Sequence, residues 1–423
     1  MSNETTKTAV PKLRFPEFEG AGEWAFLNGN KVFDQITNKN HNSNLPILAI
    51  TQEHGAIPRH LIDYNVVVTE KSIESYKVIE PGDFIISLRS FQGGIEYSTY
   101  SGICSPAYII LRSKNSGTDA FFKQYFKTPA FIGDLNKNIE GLRDGKMVSY
   151  KQFSDLFLPT PSLAEQQKIA AVLSSLDELL TAESAKLAAL QAHKRGLMQG
   201  LFPAEGETVP KLRFPEFREA AEWEKKKLGE LIEMKGRIGY RGYTIADIVE
   251  KGEGAISLSP GNIGNDGNLT FAKCTFISWE KYNESPEIML SDGFTVLVKT
   301  GYSYGKAALI NNLPEKTTIN PQLVVLKPTR VNGVFLHLLV CNSAIQKQIN
   351  ETISGGDIPS LSQGTIAKFE VSIPTEAEQQ KIADCLSSLD NRITAQTQRI
   401  EALKLHKKGL MQSLFPAAAE PTA

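Results

Sequence analysis

Two stretches of this chain occur twice, and the duplication restricts the possible folds more than any other feature. The shorter stretch, VPKLRFPEF at residues 10–18, recurs at 209–217. The longer stretch, residues 165–203, recurs without a gap at 378–416, and 24 of its 39 aligned positions are identical. Self-similarity of this kind shows that the chain consists of two related halves.

The two stretches are displaced by different distances. The short one shifts by 199 residues (209 − 10) and the long one by 213 (378 − 165), so the segment between them is 14 residues longer in the second half. Little identity survives in that segment. We interpret the chain as a repeated frame that carries two diverged domains. Residues 203–209 join the two stretches directly in mid-chain, so we expect the regions near 10 and 416 to lie together in a pseudo-twofold ring.

Each long stretch has the pattern of one continuous helix. Capping boxes at 162–165 and 375–378, each preceded by proline, mark where the helices begin. An apolar seam with alternating steps of four and three residues then runs along each helix. Its positions are Ile169, Leu173, Leu176, Leu180, Leu187, Leu190 and Leu197 in the first copy and Ile382, Leu386, Leu389, Ile393, Ile400, Leu403 and Leu410 in the second.

Polar residues interrupt the two seams at equivalent places, Glu183 and Lys194 in one copy and Gln396 and Lys407 in the other. Matching interruptions are typical of a paired coiled coil with a fixed register. The alternative, two amphipathic helices that each lie on their own domain, does not require them to match. A helix over 163–200 would be about 57 Å long at roughly 1.5 Å per residue. We therefore expect an antiparallel spacer between the two diverged domains.

The diverged segments, 25–157 and 224–370, predict short strands separated by Gly, Asn and Pro, with helical periodicity near 120–135 and 334–349. Strand candidates are 66–68, 84–88, 108–111, 294–298 and 323–326. The predicted class is α+β: two domains of mixed short-stranded sheet with small helices, separated by two long antiparallel coiled-coil helices in pseudo-twofold arrangement. The predicted domains are 1–160 (with repeat segment 10–24), the central spacer helix 161–203, 204–373 (with repeat segment 209–223), the distal spacer helix 374–416 and a tail, 417–423.

Glycine-rich loops in both domains carry long hydrogen-bond donors and aromatic side chains. Arginine and lysine can bind guanine edges or phosphates, and glutamine can bind adenine. Any one such loop is compatible with a solvated turn, but several at analogous positions favour a binding surface. The candidate DNA-contacting residues are Arg89, Gln92, Arg143, Lys146, Arg237, Tyr240, Arg241, Lys299, Tyr302, Tyr304 and Lys306.

Composition and motifs argue against several classes of protein. The net charge of −1 means that any attraction to nucleic acid must come from local patches. Four cysteines without a paired spacing argue against structural zinc and suit a reducing cytoplasm, and no segment predicts a membrane span or an export signal. Residues 301–306 fall one residue short of a phosphate-binding loop, and the six histidines have no catalytic or metal spacing. We expect no catalytic residues, no metal and no cofactor in this chain.

The two helix starts, Ser162-Leu-Ala-Glu-Gln-Gln-Lys-Ile-Ala170 and Thr375-Glu-Ala-Glu-Gln-Gln-Lys-Ile-Ala383, each close a variable half of the chain. This arrangement resembles the specificity subunit of Type I restriction–modification systems, and the resemblance covers essentially the whole chain. It implies a non-catalytic, cytoplasmic subunit whose target-recognition domains each read half of a split, asymmetric site on double-stranded DNA, while the helices set the gap.

The same resemblance implies partners. The helices would bind two modification subunits, which carry S-adenosylmethionine and methylate adenine, and motor-nuclease restriction subunits using ATP and Mg²⁺ would join them. The family's recognition residues differ between members, so the resemblance assigns no base contact here. The alternative hypothesis is a coiled-coil assembly scaffold that binds proteins and does not read DNA.

Overall fold

The computed structural model describes residues 7–41, 44–62, 73–137, 148–264, 266–352 and 360–416. Two long helices, the central helix Leu163–Leu201 and the distal helix Glu376–Leu414, have 39 residues each. Contacts divide the chain into two compact units, Met1–Ser184 with Gln398–Ala423 and Ala185–Thr397. Each unit therefore contains the first part of one long helix, the last part of the other, and one diverged domain.

The first unit combines short strands with small helices. Its strands are β1 Lys7–Ala9, β2 Trp24–Asn28, β3 Phe33–Ile36, β4 Leu48–Thr51, β5 Gly55–Pro58, β6 Lys77–Ile79, β7 Phe84–Ile86, β8 Glu96–Tyr97, β9 Gly102–Cys104, β10 Ile109–Ser113 and β11 Phe157–Thr160. Its small helices are Gly29–Val32, Ser90–Gly93, Asp119–Tyr125, Pro129–Lys137 and Tyr150–Ser154. The main sheet has the order β3-β10-β7-β8, beside a sheet β1-β2-β11 and the pairs β4-β5 and β6-β9.

The second unit has the same kind of architecture. Its strands are β12 Glu224–Lys227, β13 Ile232–Gly236, β14 Ile248–Val249, β15 Gly254–Leu258, β16 Thr275–Ser278, β17 Thr295–Val298, β18 Ala307–Leu309, β19 Thr317–Ile319, β20 Leu323–Pro328 and β21 Glu370–Ile373. Its small helices are Trp279–Asn283, Gly333–Cys341, Ser343–Glu351 and Gln363–Ala367. The sheets have the orders β13-β20-β17-β18, β14-β16-β15-β19 and β12-β21.

The main sheets of the two units share one topology. In the first unit β3 pairs antiparallel with β10, which pairs antiparallel with β7. In the second unit β13, β20 and β17 pair in the same way. This confirms the predicted α+β class of short-stranded sheets with two long helices. Strand candidate 66–68 lies outside the described residues. Each predicted helical segment forms two helices, and in the second domain the break occurs where Asn342 caps the new helix through Ala344 N.

Different side chains fill the two cores. In the first unit, Phe33 makes edge-to-face contacts with Phe84, Phe122 and Phe153 at ring-centroid distances of 5.4, 5.0 and 5.9 Å. The core of the second unit is mainly aliphatic, with Phe335 stacked on Phe202, which directly follows the central helix. Similar backbones with different core side chains are expected when volume and apolar pattern are kept while sequence drifts.

The two repeated stretches contact each other within each unit. Arg14 donates two hydrogen bonds of 2.8 Å to the carboxylate of Glu165, at the beginning of the central helix. Arg213 makes the same two bonds, also 2.8 Å, to Glu378 on the distal helix. These side chains are at most 8% exposed, so we call them the anchor pairs. Residues kept identical in both repeats thus hold each short stretch against a helix.

Main-chain contacts extend this junction. Leu13 N donates to Ser413 O at 3.0 Å in the first unit, and Leu212 N donates to Gly200 O at 2.8 Å in the second. The second contact lies within a continuous chain, whereas the first joins two segments that are 400 residues apart (413 − 13). The segment near residue 10 therefore lies beside the end of the distal helix, as predicted from the direct connection of the two stretches in mid-chain.

The predicted seam positions are all buried or partly buried along both helices. The polar interruptions are paired: Lys194 Nζ lies 2.5 Å from Asp390 Oδ1 in the second unit, and Lys407 Nζ lies 2.5 Å from Asp177 Oδ1 in the first. Glu183, also in the first unit, pairs with Arg399 at 2.8 Å. In the first unit, Asp177 pairs with Lys407 and Glu183 pairs with Arg399, so residue numbers increase along one helix and decrease along the other. The two helix segments of the first unit therefore run antiparallel.

We expect His337, on helix Gly333–Cys341, to make the stability of the second unit depend on pH. Burial, with Lys194 nearby, lowers the pKa of His337 from 6.5 to about 4. As pH falls, the imidazole is therefore protonated in the unfolded chain before it is protonated in the folded one. The contribution of the neutral imidazole to folding stability is complete above pH 6.5 and is lost as pH falls toward 4. We expect His337→Leu to show a shallower loss of unfolding free energy over this interval in denaturant titrations. Parallel pH profiles for the two proteins would contradict this assignment.

Candidate nucleic-acid interface

Three chain segments meet at the end of strand β17 in the second unit. Lys299, the residue after β17, donates its N–H to Gln322 O at 2.9 Å and accepts at its carbonyl from Leu361 N at 2.7 Å. Thr300 and Ser360 continue this contact as an antiparallel bridge, with their hydroxyl oxygens 3.3 Å apart. The strand end, the turn before β20 and the segment before helix Gln363–Ala367 thus form one surface.

Gln322 is oriented by its neighbour in the Asn-Pro-Gln turn. Asn320 Nδ2 donates to Gln322 Oε1 at 3.1 Å, and Gln322 N donates to Asn320 Oδ1 at 3.0 Å. Asn320 is buried and Gln322 is exposed. The turn therefore fixes the oxygen end of the Gln322 amide and leaves the nitrogen end directed toward Gly301, where an added Cβ would lie 3.5 Å from Nε2.

Gly236, at the end of β13, lies beside this surface and has no side chain to cover the main chain. A Cβ added at Gly236 would lie 3.1 Å from Gln363 Nε2 and 3.6 Å from Lys299 Nζ. In the described part of the chain, neither the Lys299 ammonium nor the Gln363 amide has a hydrogen-bond or ion-pair partner. The surface thus offers an ammonium and two amide groups that can bind a ligand.

The loop that follows Lys299 contains three further predicted residues with different surroundings. Tyr302 is fully exposed at the loop tip. Tyr304 is partly buried, and its hydroxyl lies within hydrogen-bond distance of Thr352 Oγ1 and Ile349 O. Lys306 is partly buried. Tyr302 is therefore accessible to a ligand, whereas Tyr304 ties the loop to helix Ser343–Glu351.

The predicted arginines of the loop after β13 face the domain itself. Arg237 is only 5% exposed, and its guanidinium donates to Ile319 O at 3.1 Å and Thr318 Oγ1 at 3.3 Å. Burial lowers the pKa of Arg237. Arg241 donates to Glu284 O at 3.1 Å. These two arginines therefore hold the loop in place, because their donors are directed to protein oxygens. Tyr240 lies in the turn Gly239–Arg241 between them.

The equivalent strand end in the first unit has a related composition. Arg89 and Gln92 are both exposed around the short helix Ser90–Gly93, after β7. Gln52, exposed in the turn between β4 and β5, donates to Arg89 O at 3.4 Å. Both domains therefore place a basic residue and glutamine amides at the same end of the same strand of the main sheet. Predicted residues Arg143 and Lys146 lie outside the described residues.

Sequence reasoning missed Gln52, Gln322 and Gln363. Each of these glutamines lies in a different chain segment from the basic residue, Arg89 or Lys299, that it lies beside. Only the tertiary structure therefore shows that the glutamines and the basic residues are neighbours. Gln322 had a local signal, because an Asn-Pro turn directly before an apolar run predicts an ordered strand entry.

Among the described residues, no group of three or more His, Cys, Asp or Glu is placed to hold a metal ion, and no helix is long and apolar enough to cross a membrane.

The chain matches the model of one protein family twice. The Type I restriction modification DNA specificity domain matches residues 22–192 and 220–405. These ranges cover most of the chain, one in each half, so this protein belongs to the Type I restriction–modification DNA specificity family. The two anchor pairs, the two domains with the same sheet topology and the two long helices are thus features of a specificity subunit with two recognition domains.

Characterised relatives and solved structures resemble the chain over most of its length. The MjaVIII Type I restriction enzyme specificity subunit of Methanocaldococcus jannaschii is 23% identical over 360 residues, covering 83% of this chain and 81% of the relative. The MjaIX specificity subunit of the same organism is 21% identical, covering 84% of each chain. The crystal structure of the S subunit from M. genitalium covers 97% of this chain and all of that one, with 16% identity and a TM-score of 0.58. The match to a chain from a structure of the assembly of the type I restriction–modification system covers 93% of this chain and 98% of that one, with 17% identity and a TM-score of 0.53.

Proposed function

We propose that this chain is the DNA-reading subunit of a Type I restriction–modification complex, with each domain reading one half of a split, asymmetric site. The two long helices set the unread gap between the halves and bind two modification subunits. S-adenosylmethionine, ATP and Mg²⁺ belong to the modification and restriction subunits, and the complex works in the cytoplasm.

One observation carries the proposal: two domains of the same topology present basic and amide side chains, exposed or partly exposed, at the same strand end, but with different residues. Arg89 and Gln92 occupy this position in one domain, and Lys299 and Gln322 in the other. Sequence is read at base edges by such donors, and a change of donor changes the preferred base. A shared fold with different reading groups is what a split site with unlike halves requires.

The charge distribution is consistent with a reader that depends on partners. A net charge of −1 provides little of the general phosphate attraction that dominates non-specific DNA affinity. We therefore expect tight binding only when modification subunits add their own phosphate contacts. The chain's contribution is then selectivity, which comes from base-edge contacts rather than overall charge.

Selection from random duplexes tests this function. The purified complex with its modification subunits should retain duplexes that share two short conserved blocks separated by a fixed gap, as read by sequencing the retained pool. Replacing residues 25–157 with the corresponding domain of another family member should change one block and leave the other. A retained pool without a split motif would favour the assembly scaffold, and a change in both blocks would show that the domains do not read independently.

A further inference from the structure

Lys299, Gln322 and Gln363, which we call the amide cluster, have the properties of a group that reads bases. Gln322 and Gln363 are exposed and Lys299 is partly exposed, and the described residues provide no partner for the Lys299 ammonium, the Gln363 amide or Gln322 Nε2. Polar side chains that only complete a fold usually bind protein atoms, as Arg237 does. The amide cluster leaves its hydrogen-bonding capacity for a ligand.

Two glycines leave the backbone beside the amide cluster without side chains. Gly236 borders Lys299 and Gln363, and Gly301, with a positive φ of 102°, borders Gln322. A glycine that lies between reading side chains lets the edge of a planar ligand approach the main chain closely. Substitution at Gly236 would bring a Cβ to 3.1 Å from Gln363 Nε2, so the Gln363 amide can lie this close to the main chain because residue 236 is glycine.

The orientation of Gln322 indicates which hydrogen bonds it can make. Its Oε1 accepts from Asn320, so Nε2 is presented as a donor while the oxygen keeps one further lone-pair direction. A glutamine side chain pairs with adenine through N6 and N7, and a lysine ammonium donates to guanine O6 and N7. The three groups therefore suit a short purine-containing block read from the major groove.

Resting on the proposed function, we infer that Lys299, Gln322 and Gln363 are specificity-determining residues of the second domain. The two glutamines read adenine, and Lys299 reads an adjacent guanine. Arg237 and Tyr304 support the cluster from the protein side and do not contact the bases. The reading groups thus come from three separate segments, which the contacts of Lys299 with Gln322 and Leu361 hold together.

Single substitutions in the full complex test this assignment. Gln322→Ala and Gln363→Ala should each relax base preference at one or two positions of one half-site and weaken binding of the selected duplex about tenfold or more. Binding of unrelated duplexes should stay unchanged. Gln322→Glu keeps the Asn320 contact but offers only acceptors, so preference at its position should move from adenine toward cytosine. Lys251→Ala, at an exposed lysine in a turn of the same domain, is the matched control and should leave the half-site intact.

The assay separates failure of the cluster from failure of the proposed function. If the variants weaken all duplexes equally and reduce the salt dependence, these residues contact phosphates and the inference is wrong. It is equally wrong if the half-site is unchanged in all three alanine variants of the cluster, Gln322→Ala, Gln363→Ala and Lys299→Ala. If the unmodified complex itself selects no split site, the proposed function fails first.

Discussion

Replacing Arg213 with leucine should lower the unfolding free energy by about 3–5 kcal/mol, the largest stability effect that we expect from one substitution. The change leaves Glu378, a side chain only 1% exposed, charged and without its guanidinium partner. Trp223 Nε1, 3.4 Å from the same carboxylate, cannot neutralise it. Denaturant titration followed by circular dichroism and tryptophan fluorescence provides the measurement.

A neighbouring ion pair serves as the control for this prediction. Lys381 and Glu216 lie 3.0 Å apart on the same junction, but both side chains are about half exposed, so Lys381→Ala should cost at most about 1 kcal/mol. The double variant Arg213→Leu with Glu378→Leu removes both charges and should recover much of the loss. Equal costs for Arg213→Leu and Lys381→Ala would show that the anchor pair does not hold the short stretch in place.

Inserting four residues into the central helix after Ser184 should lengthen the gap between the half-sites and leave both half-sites unchanged. Four residues add one turn, about 6 Å, which corresponds to about two base pairs at roughly 3.4 Å each. The pairs Asp177 with Lys407 and Lys194 with Asp390 lie on either side of the insertion and are 17 residues apart on each helix (194 − 177 and 407 − 390), so lengthening one helix alone should strain or break one of the two pairs.

Selection from random duplexes measures both quantities in the insertion variant. A matched variant with four further residues after Thr397 extends both helices equally and should show the same longer gap with less loss of stability. If the gap stays constant while a half-site changes, the helices do not act as the spacer, and partner subunits must set the distance instead.

The sequence alone determined the features that depend on neighbours along the chain. The repeat placed a helix at 163–200, and the structure has Leu163–Leu201, because capping residues and a continuous apolar period are local signals. The same holds for β7 and β20, whose apolar runs are bounded by turn residues. The duplication by itself also shows that the two halves of the chain are related in sequence.

Only the tertiary structure decided which distant residues meet. Arg14 and Glu165 lie 151 positions apart, and nothing in either local pattern names the other as a partner, although both are identical in the two repeats. Arg237 and Lys299 look alike as basic residues in glycine-rich loops. Arg237 is buried and donates to protein oxygens, whereas Lys299 is partly exposed and its ammonium lies, like the amide of Gln363, beside Gly236. Burial and partner depend on how whole segments pack, so a residue's type and spacing predict a helix or strand but do not show whether a donor faces the protein or a ligand.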